Sequence, residues 1–369
     1  MKKKVMLVFG TRPEAIKMAP LVKTLERDDR FETIVAVTAQ HREMLDMVLE
    51  LFSITPDYDL NIMKQGQDLY DITSAVLLGL KPVLRKAKPD ILLVHGDTTT
   101  TMAASVAGFY EGIPVGHVEA GLRTGNKRSP WPEEINRRIT DVITDYYFAP
   151  TELNRENLLN ENVPAEKIFV TGNTVIDALH MALEKTCPLE ECGLKEVDPS
   201  KKVILLTCHR RENWGEPMER IFSAVAEIVE KHEEIEVVFP VHKNPKVREV
   251  ANKYLGGKDR VHMIEPLDYH PFSTLMSKAY LVLTDSGGIQ EEAPSLGKPV
   301  LVLRDTTERP EAVAAGTVKL AGTYKDDILR EVETLLTDVD AYEAMAGTKN
   351  PYGDGTSSCQ ISEIIAENV

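Results

Sequence analysis

Acidic residues stand just past two short apolar runs: Asp97 in His95-Gly96-Asp97-Thr98-Thr99-Thr100-Thr101 and Glu119 in His117-Val118-Glu119-Ala120-Gly121-Leu122-Arg123. If the two runs are neighbouring strands, two carboxylates face one cleft, where they could hold and transfer protons. Glu133 and Glu134 follow Pro130-Trp131-Pro132 at the start of a helical stretch. Each acid also has a structural use: Asp97 fits a helix N-cap, and Glu133 or Glu134 fits complementation of a helix dipole. His209 lies in Leu206-Thr207-Cys208-His209-Arg210-Arg211-Glu212-Asn213, a loop that offers an imidazole and two guanidiniums. That set suits proton transfer or a phosphate contact, and a structural role is equally open because no acid that would fix the tautomer is visible in the sequence. His95, His117 and His242 share this ambiguity.

Two further loops suit an anion. Gly10-Thr11-Arg12-Pro13-Glu14-Ala15-Ile16-Lys17 places Pro13 in a first helical turn and presents amides and Arg12 beside it. It contains neither GxGxxG nor GK[ST], which argues against a dinucleotide or ATP loop. In Asp285-Ser286-Gly287-Gly288-Ile289-Gln290-Glu291-Glu292, a serine and two glycines open a helix directly after a strand-like run. Bare amides allow a diphosphate to approach the backbone closely, and Glu292, about one turn on, is placed to accept from ribose hydroxyls.

Elements that could carry these loops recur along the chain. Apolar, β-branched runs at 4–9, 33–37, 91–95, 114–118, 146–149 and 168–171 read as strands buried on both faces. Amphipathic stretches such as 13–26, 42–52 and 69–87 separate them, with lengths suited to crossovers. The alternation restarts near Lys201, with runs at 203–207, 236–240, 261–264, 280–284 and 299–303. The fold expected is therefore α/β: two Rossmann-like, doubly wound parallel-sheet domains facing a central cleft, residues 1–173 and 174–355. A last helix, 356–369, would pack back on the first domain.

With 369 residues the chain exceeds what one core usually supports. Its net charge of -15 disfavours a nucleic-acid partner, since a phosphate backbone would be repelled. No apolar run approaches the roughly 20 residues that cross a bilayer, and the N-terminal run stops at Gly10, so a cytoplasmic protein without a membrane partner is expected. Cys187, Cys192, Cys208 and Cys359 are spaced too irregularly for a zinc site and are expected to be reduced thiols.

The motifs together resemble the non-hydrolysing UDP-N-acetylglucosamine 2-epimerases, whose fold is that of the two-domain GT-B glycosyltransferases. The resemblance runs nearly end to end: GTRPEAIKMAPL from Gly10, TAQHREMLD from Thr38, HGDTTTT, HVEAGLRTG, SPWPEEINR, GNTVIDAL from Gly172, CHRREN, and DSGGIQEEAPSLGKPVLVLRDTTERPEAV. It implies Asp97, Glu119, Glu133 and His209 as catalytic residues. It implies UDP-sugar contacts, beyond Asp97, Glu119 and His209 themselves, at Arg12, Lys17, Leu267, Phe272, Ser286, Gly287, Gly288, Glu292 and Arg309. Gln40 and His41 match a segment where some members bind an activating substrate molecule, and Cys208 stands where related members are expected to have glycine.

The resemblance further implies UDP-GlcNAc and UDP-ManNAc as ligands, no metal or other cofactor, a homodimer, and elimination of UDP to 2-acetamidoglucal followed by re-addition. Crowded carboxylates would repel one another and raise at least one pKa. Three rivals stay open. A hydrolysing 2-epimerase would release free ManNAc, a GT-B glycosyltransferase would need an acceptor, and a silent UDP-sugar sensor would not need the acids.

Overall fold

The computed structural model describes residues 2–39 and 42–369. The chain divides into two compact units, Met1–Met181 with Tyr352–Val369, and Ala182–Pro351.

In the first unit, β1 (Lys3–Phe9), β2 (Phe31–Val37), β3 (Tyr58–Asp59), β4 (Ile91–His95), β5 (Val115–Val118), β6 (Tyr146–Ala149) and β7 (Ile168–Val170) form a parallel sheet in the order β3-β2-β1-β4-β5-β6-β7. Helices α1 (Arg12–Arg27), α2 (Arg42–Leu51), α3 (Leu69–Ala87), α4 (Thr99–Tyr110), α5 (Glu133–Ile143), α6 (Glu152–Asn160) and α7 (Thr174–Leu183) connect or follow the strands. Val5 to Phe9 and Ile91 to His95 are buried without alternation, as strands covered on both faces require. The core behind them joins Met6, Val8, Leu92 and Val94 to Val76 and Leu80 of α3 and Ala103 and Ala104 of α4. The strand order reverses direction between β1 and β4, so the loops leaving these two strands diverge and open a crevice at their carboxyl ends.

The second unit repeats the plan. Its strands β8 (Lys202–Thr207), β9 (Ile235–Pro240), β10 (Val261–Ile264), β11 (Leu281–Thr284), β12 (Val300–Val302) and β13 (Val318–Leu320) are parallel in the order β10-β9-β8-β11-β12-β13. Its helices are α8 (Glu216–Lys231), α9 (Pro245–Leu255), α10 (Tyr269–Lys278), α11 (Gly287–Glu292), α12 (Pro310–Ala315), α13 (Lys325–Thr337) and α14 (Val339–Ala346). Phe222 of α8 and Phe239 of β9 meet at a ring separation of 5.3 Å in a tilted pair, inside a core that includes Ile221, Val225, Leu281 and Leu301. Here the reversal falls between β8 and β11.

The chain then returns to the first unit, where α15 (Ser357–Asn368) packs on α1. Asn173 N donates to Tyr352 O at 2.7 Å, and Asp177 of α7 accepts from Ser358 N at 2.8 Å in the first turn of α15. Most of α7 thus belongs to the first unit. The units part at 181/182 and 351/352, at the far end of that helix, where the sequence suggested 173/174 and 355/356.

One expectation needs amendment. Cys187 and Cys192 form a disulfide, not two reduced thiols; the turn in which Cys192 N donates to Pro188 O at 3.2 Å brings them together. Cys208 and Cys359 are free. The edge strand β3 has no apolar run to announce it, and only the pairing of Tyr58 and Asp59 with Ala36 and Val37 makes it a strand. Among the described residues no helix is long and apolar enough to cross a membrane.

Candidate active site

At the switch point of the first sheet, Gly10 follows β1 and packs against Thr38. A Cβ at position 10 would lie 1.8 Å from Thr38 Oγ1 and 2.9 Å from Thr100 Oγ1, so a side chain there must displace the loop. Glu14, four residues on and buried, gathers five donors. Its Oε2 accepts from Gly10 N at 3.0 Å, Thr11 N at 2.8 Å and Thr11 Oγ1 at 2.8 Å. Its Oε1 accepts from Thr98 Oγ1 at 2.6 Å and Thr101 Oγ1 at 3.0 Å. One carboxylate therefore ties the β1–α1 loop to the β4–α4 loop. In the sequence, only the Thr11-x-x-Glu14 capping-box spacing signals Glu14, and it signals half of this role. Arg12 beside it is half-buried and makes no hydrogen bond or ion pair among the described residues.

Thr98, not Asp97, caps α4, since its hydroxyl accepts from Thr101 N at 3.1 Å. Asp97 Oδ2 accepts instead from Arg137 Nε at 3.0 Å and Nη2 at 2.6 Å, and Asn136 Nδ2 donates to Asp97 O at 2.9 Å. These bonds lay α5 against the β4–α4 loop. Glu133 precedes Arg137 by four residues, so it lies on the same face of α5. It makes no hydrogen bond or ion pair among the described residues, whereas its neighbour Glu134 is fully buried and accepts from Thr124 N at 3.0 Å, Gly125 N at 3.2 Å and Arg137 Nη1 at 3.1 Å. Burial pushes the Glu134 pKa up, but these donors and Arg137 outweigh it and leave it below the ordinary value. Glu134 clasps the Thr124 turn to α5.

Glu119, the first residue past β5, sits on the strand end next to that of Asp97, because β4 and β5 pair with His95 opposite Val118. Its φ of 68° lies in the left-handed region, a conformation that costs a non-glycine residue about 1–3 kcal/mol and is common where geometry serves function. Its Oε2 is ion-paired with Lys17 of α1, lies 3.3 Å from His95 Nε2, and accepts from Asn173 Nδ2 at 3.1 Å. Burial acts to raise the Glu119 pKa; the Lys17 ammonium and His95 overcome it and hold the carboxyl well below the usual range. Mutual repulsion among acids was expected to raise a pKa. The structure instead pairs each acid with a cation, Glu119 with Lys17 and Asp97 with Arg137, and the Glu119 shift runs downward.

Of the other histidines in this unit, His117 is enclosed, with Nδ1 2.6 Å from Asp141 Oδ1 and Nε2 2.7 Å from Gly96 O. Arg123 completes that buried cluster by donating to Asp141 Oδ2 at 2.6 Å. His95 is buried at the end of β4, and neither ring nitrogen has hydrogen-bond geometry; the 3.3 Å approach to Glu119 is an electrostatic contact only. Gln40 and His41, the expected effector position, lie outside the described residues.

At the switch point of the second sheet, the loop after β8 meets the loop after β11. Asp285, fully buried, accepts through Oδ2 from His209 N and Arg210 N at 2.8 Å each and from Asn213 Nδ2 at 3.1 Å. Its Oδ1 lies 3.3 Å from His209 Nδ1. The His209 ring stacks on His242 at 5.5 Å and 12°. Burial lowers the His209 pKa; Asp285 opposes this, while His242 and Arg210 add to it, and the net direction is down. The acid partner that the sequence could not show is therefore Asp285. Cys208 fills a buried position in this loop, and burial together with Asp285 drives its thiol pKa up, so it stays neutral.

Gly287 opens α11 facing two guanidiniums. A Cβ there would lie 3.5 Å from Arg210 Nη2 and 4.0 Å from Arg309 Cζ. Arg309 is ion-paired with buried Glu291, and Thr307 Oγ1 donates to Gln290 Oε1 at 2.6 Å, so the Arg304–Arg309 segment folds over α11. Ser286 N donates to Thr284 Oγ1 at 2.9 Å, and Gly288 is exposed. Glu292 is buried and accepts from Tyr269 Oη at 3.1 Å. Leu267 and Phe272, at the start of α10, are half-buried on the same unit. The second unit thus gathers His209, Ser286, Gly287, Gly288 and Arg309 at one switch point, and the first gathers Arg12, Lys17, Asp97 and Glu119 at another, with Glu133 on α5 beside them.

Two parallel-sheet α/β units, each with its polar loops at a topological switch point, define a GT-B-like protein. The model of the UDP-N-acetylglucosamine 2-epimerase family matches residues 23–366. A UDP-N-acetylglucosamine 2-epimerase of Yersinia pestis is 61% identical over 363 residues, 97% of this chain and 96% of its own length. One of Escherichia coli strain K12 is 58% identical over 371 residues, 99% of each chain. A crystal structure of the Neisseria meningitidis UDP-GlcNAc 2-epimerase bound to UDP-GlcNAc superposes with a TM-score of 0.87 at 54% identity, covering 99% of this chain and 100% of that one. The chain belongs to the UDP-N-acetylglucosamine 2-epimerase family, and it is an enzyme of the isomerase class. A glycotransferase of kitacinnamycin, 13% identical with a TM-score of 0.66, shares the fold alone.

Proposed function

We propose that the enzyme interconverts UDP-N-acetylglucosamine and UDP-N-acetylmannosamine without hydrolysis, through 2-acetamidoglucal. The observation that carries this is Glu119, a carboxylate that Lys17 and His95 keep ionised on the strand end next to Asp97. C2 of the sugar has no neighbouring carbonyl, so its proton becomes removable only as the C1–O bond to UDP breaks. An ionised carboxylate takes the C2 proton, the C–H electrons form the C1–C2 double bond, and the C1–O electrons leave with UDP. In the return step a proton reaches the opposite face of C2 while the same UDP oxygen re-forms its bond to C1. Two faces need two proton-transfer groups, which suits Asp97, Glu119 and Glu133 as a set.

This reading assigns those acids to the sugar. The UDP contacts fall to Arg12, Lys17, His209, Leu267, Phe272, Ser286, Gly287, Gly288, Glu292 and Arg309. Cations and backbone amides of this kind neutralise charge on a departing diphosphate. The product would supply ManNAc-type precursors for cell-surface polysaccharide. Incubation with UDP-GlcNAc in D₂O should yield UDP-ManNAc carrying deuterium at C2, read by NMR. Free ManNAc with UDP would establish the hydrolysing alternative, and absence of both exchange and epimer would reject epimerisation.

The reading includes a homodimer. Leu78 of α3, Phe109 and Tyr110 of α4, and Ile139 and Val142 of α5 are exposed on three helices that pack side by side, and an apolar face of this kind supports self-association. Light scattering should give twice the chain mass, falling toward the monomer in Tyr110→Asp.

A further inference from the structure

Asp285 and His209 are 76 residues apart in sequence and meet only because β8 and β11 are neighbours in the sheet. Three N–H donors saturate Asp285 Oδ2, which locks the carboxylate plane and leaves Oδ1 directed at the His209 ring. Oδ1 is buried and makes no hydrogen bond among the described residues; His209 Nδ1, at 3.3 Å, is within ion-pair range but off the line of a hydrogen bond. A buried acceptor left open costs free energy unless a donor turns toward it. Two donors are in reach, the weak Cys208 S–H, whose pKa burial and Asp285 raise, and the stronger His209 Nδ1–H at 3.3 Å.

We propose that Asp285 is the positioning residue for His209: it holds the proton on Nδ1 and leaves Nε2 as the nitrogen that meets the diphosphate. The same carboxylate fixes the backbone of residues 209 and 210, so loop shape and tautomer are set together. When a diphosphate arrives, a proton from solvent joins Nε2. The resulting imidazolium donates to the phosphate on one side and to Asp285 on the other. Burial is the largest influence opposing that charge; Asp285 favours it, while His242 and Arg210 oppose it. The inference rests on the proposed UDP site for the identity of the anion, not for the tautomer.

The test is ¹⁵N NMR of the histidine side chains in the full-length enzyme, with His209 assigned by its loss in His209→Asn. The free enzyme should show His209 protonated at Nδ1 alone, and UDP should protonate both nitrogens. Asp285→Asn retains an acceptor for the backbone amides but turns an NH₂ toward the ring. It should therefore move the neutral ring's proton to Nε2, lower the His209 pKa further, weaken UDP binding, and cut kcat/KM about 10²-fold or more. Wild-type His209 protonated at Nε2, or a variant with unaltered tautomer and kcat/KM, would overturn the proposal. If the variant does not fold, the wild-type tautomer decides alone. Inactivity toward UDP-GlcNAc would defeat the functional reading and leave the tautomer measurement intact.

Discussion

At the scale of single residues, the ionisation of Glu119 is a contest between burial and two neighbours, the Lys17 ammonium and His95, and Lys17 is the stronger of them. Removing Lys17 as Lys17→Met leaves burial to push the Glu119 pKa upward. Activity that needs the carboxylate should then be lost at higher pH, so the acid limb of the kcat/KM profile moves up relative to the wild type; an unmoved limb would show that Glu119 is not the group titrating. Asp97→Asn, Glu119→Gln and Glu133→Gln each preserve shape while removing a group proposed to transfer protons. Each should lower kcat by about 10²–10⁴-fold with unchanged circular dichroism. Near-normal turnover in all three would remove the acids from the mechanism.

At the scale of elements, two buried carboxylates do positional work. Glu14 joins the loops after β1 and β4, and Glu134 clasps the Thr124 turn to α5, the helix that carries Glu133 and holds Asp97 through Arg137. Glu134→Ala strips a buried acceptor from Arg137 and two backbone amides, which should destabilise the fold by about 3–5 kcal/mol in urea unfolding. Gly10→Ala forces a methyl into the space of Thr38 Oγ1 and should cost about 1–3 kcal/mol by the same assay. Wild-type stability in either variant would mean that the loop relaxes without loss, contrary to its packing.

At the scale of the whole molecule, buried carboxylates with depressed pKa values set the acid limit of stability. The folded pKa of Glu119 lies below its ordinary 4.5 and that of Asp141 below its ordinary 3.8; in Asp141, burial is outweighed by His117 and Arg123. With falling pH the unfolded chain therefore binds these protons first. The contribution of both groups is fully present above their unfolded values and is lost as pH drops through their folded ones. The lowered His209 pKa acts in the same direction from its ordinary 6.5 downward, so the thermal midpoint should begin to decline below about pH 6.5 and fall more steeply below about pH 4.5, and a midpoint that rises on acidification would contradict these shifts.

Local pattern was enough to mark most strands, the helices between the early ones, and the loops that carry Asp97, Glu119, His209 and Ser286 to Gly288. Each follows from the residues immediately around it: β-branched runs, turn residues and helix starts. The two-residue β3, the disulfide and the exact parting of the units were not legible, because they depend on pairing, a local turn and the return of α15. The partners within each site were also hidden. Lys17 meets Glu119 across 102 residues, Arg137 meets Asp97 across 40, and Asp285 meets His209 across 76. The sequence by itself determined which side chains could do chemistry and which loops present them. Only the tertiary structure decided which carboxylates stay ionised and which acid faces the imidazole, because strand order sets those distances, and distance with burial sets the charge.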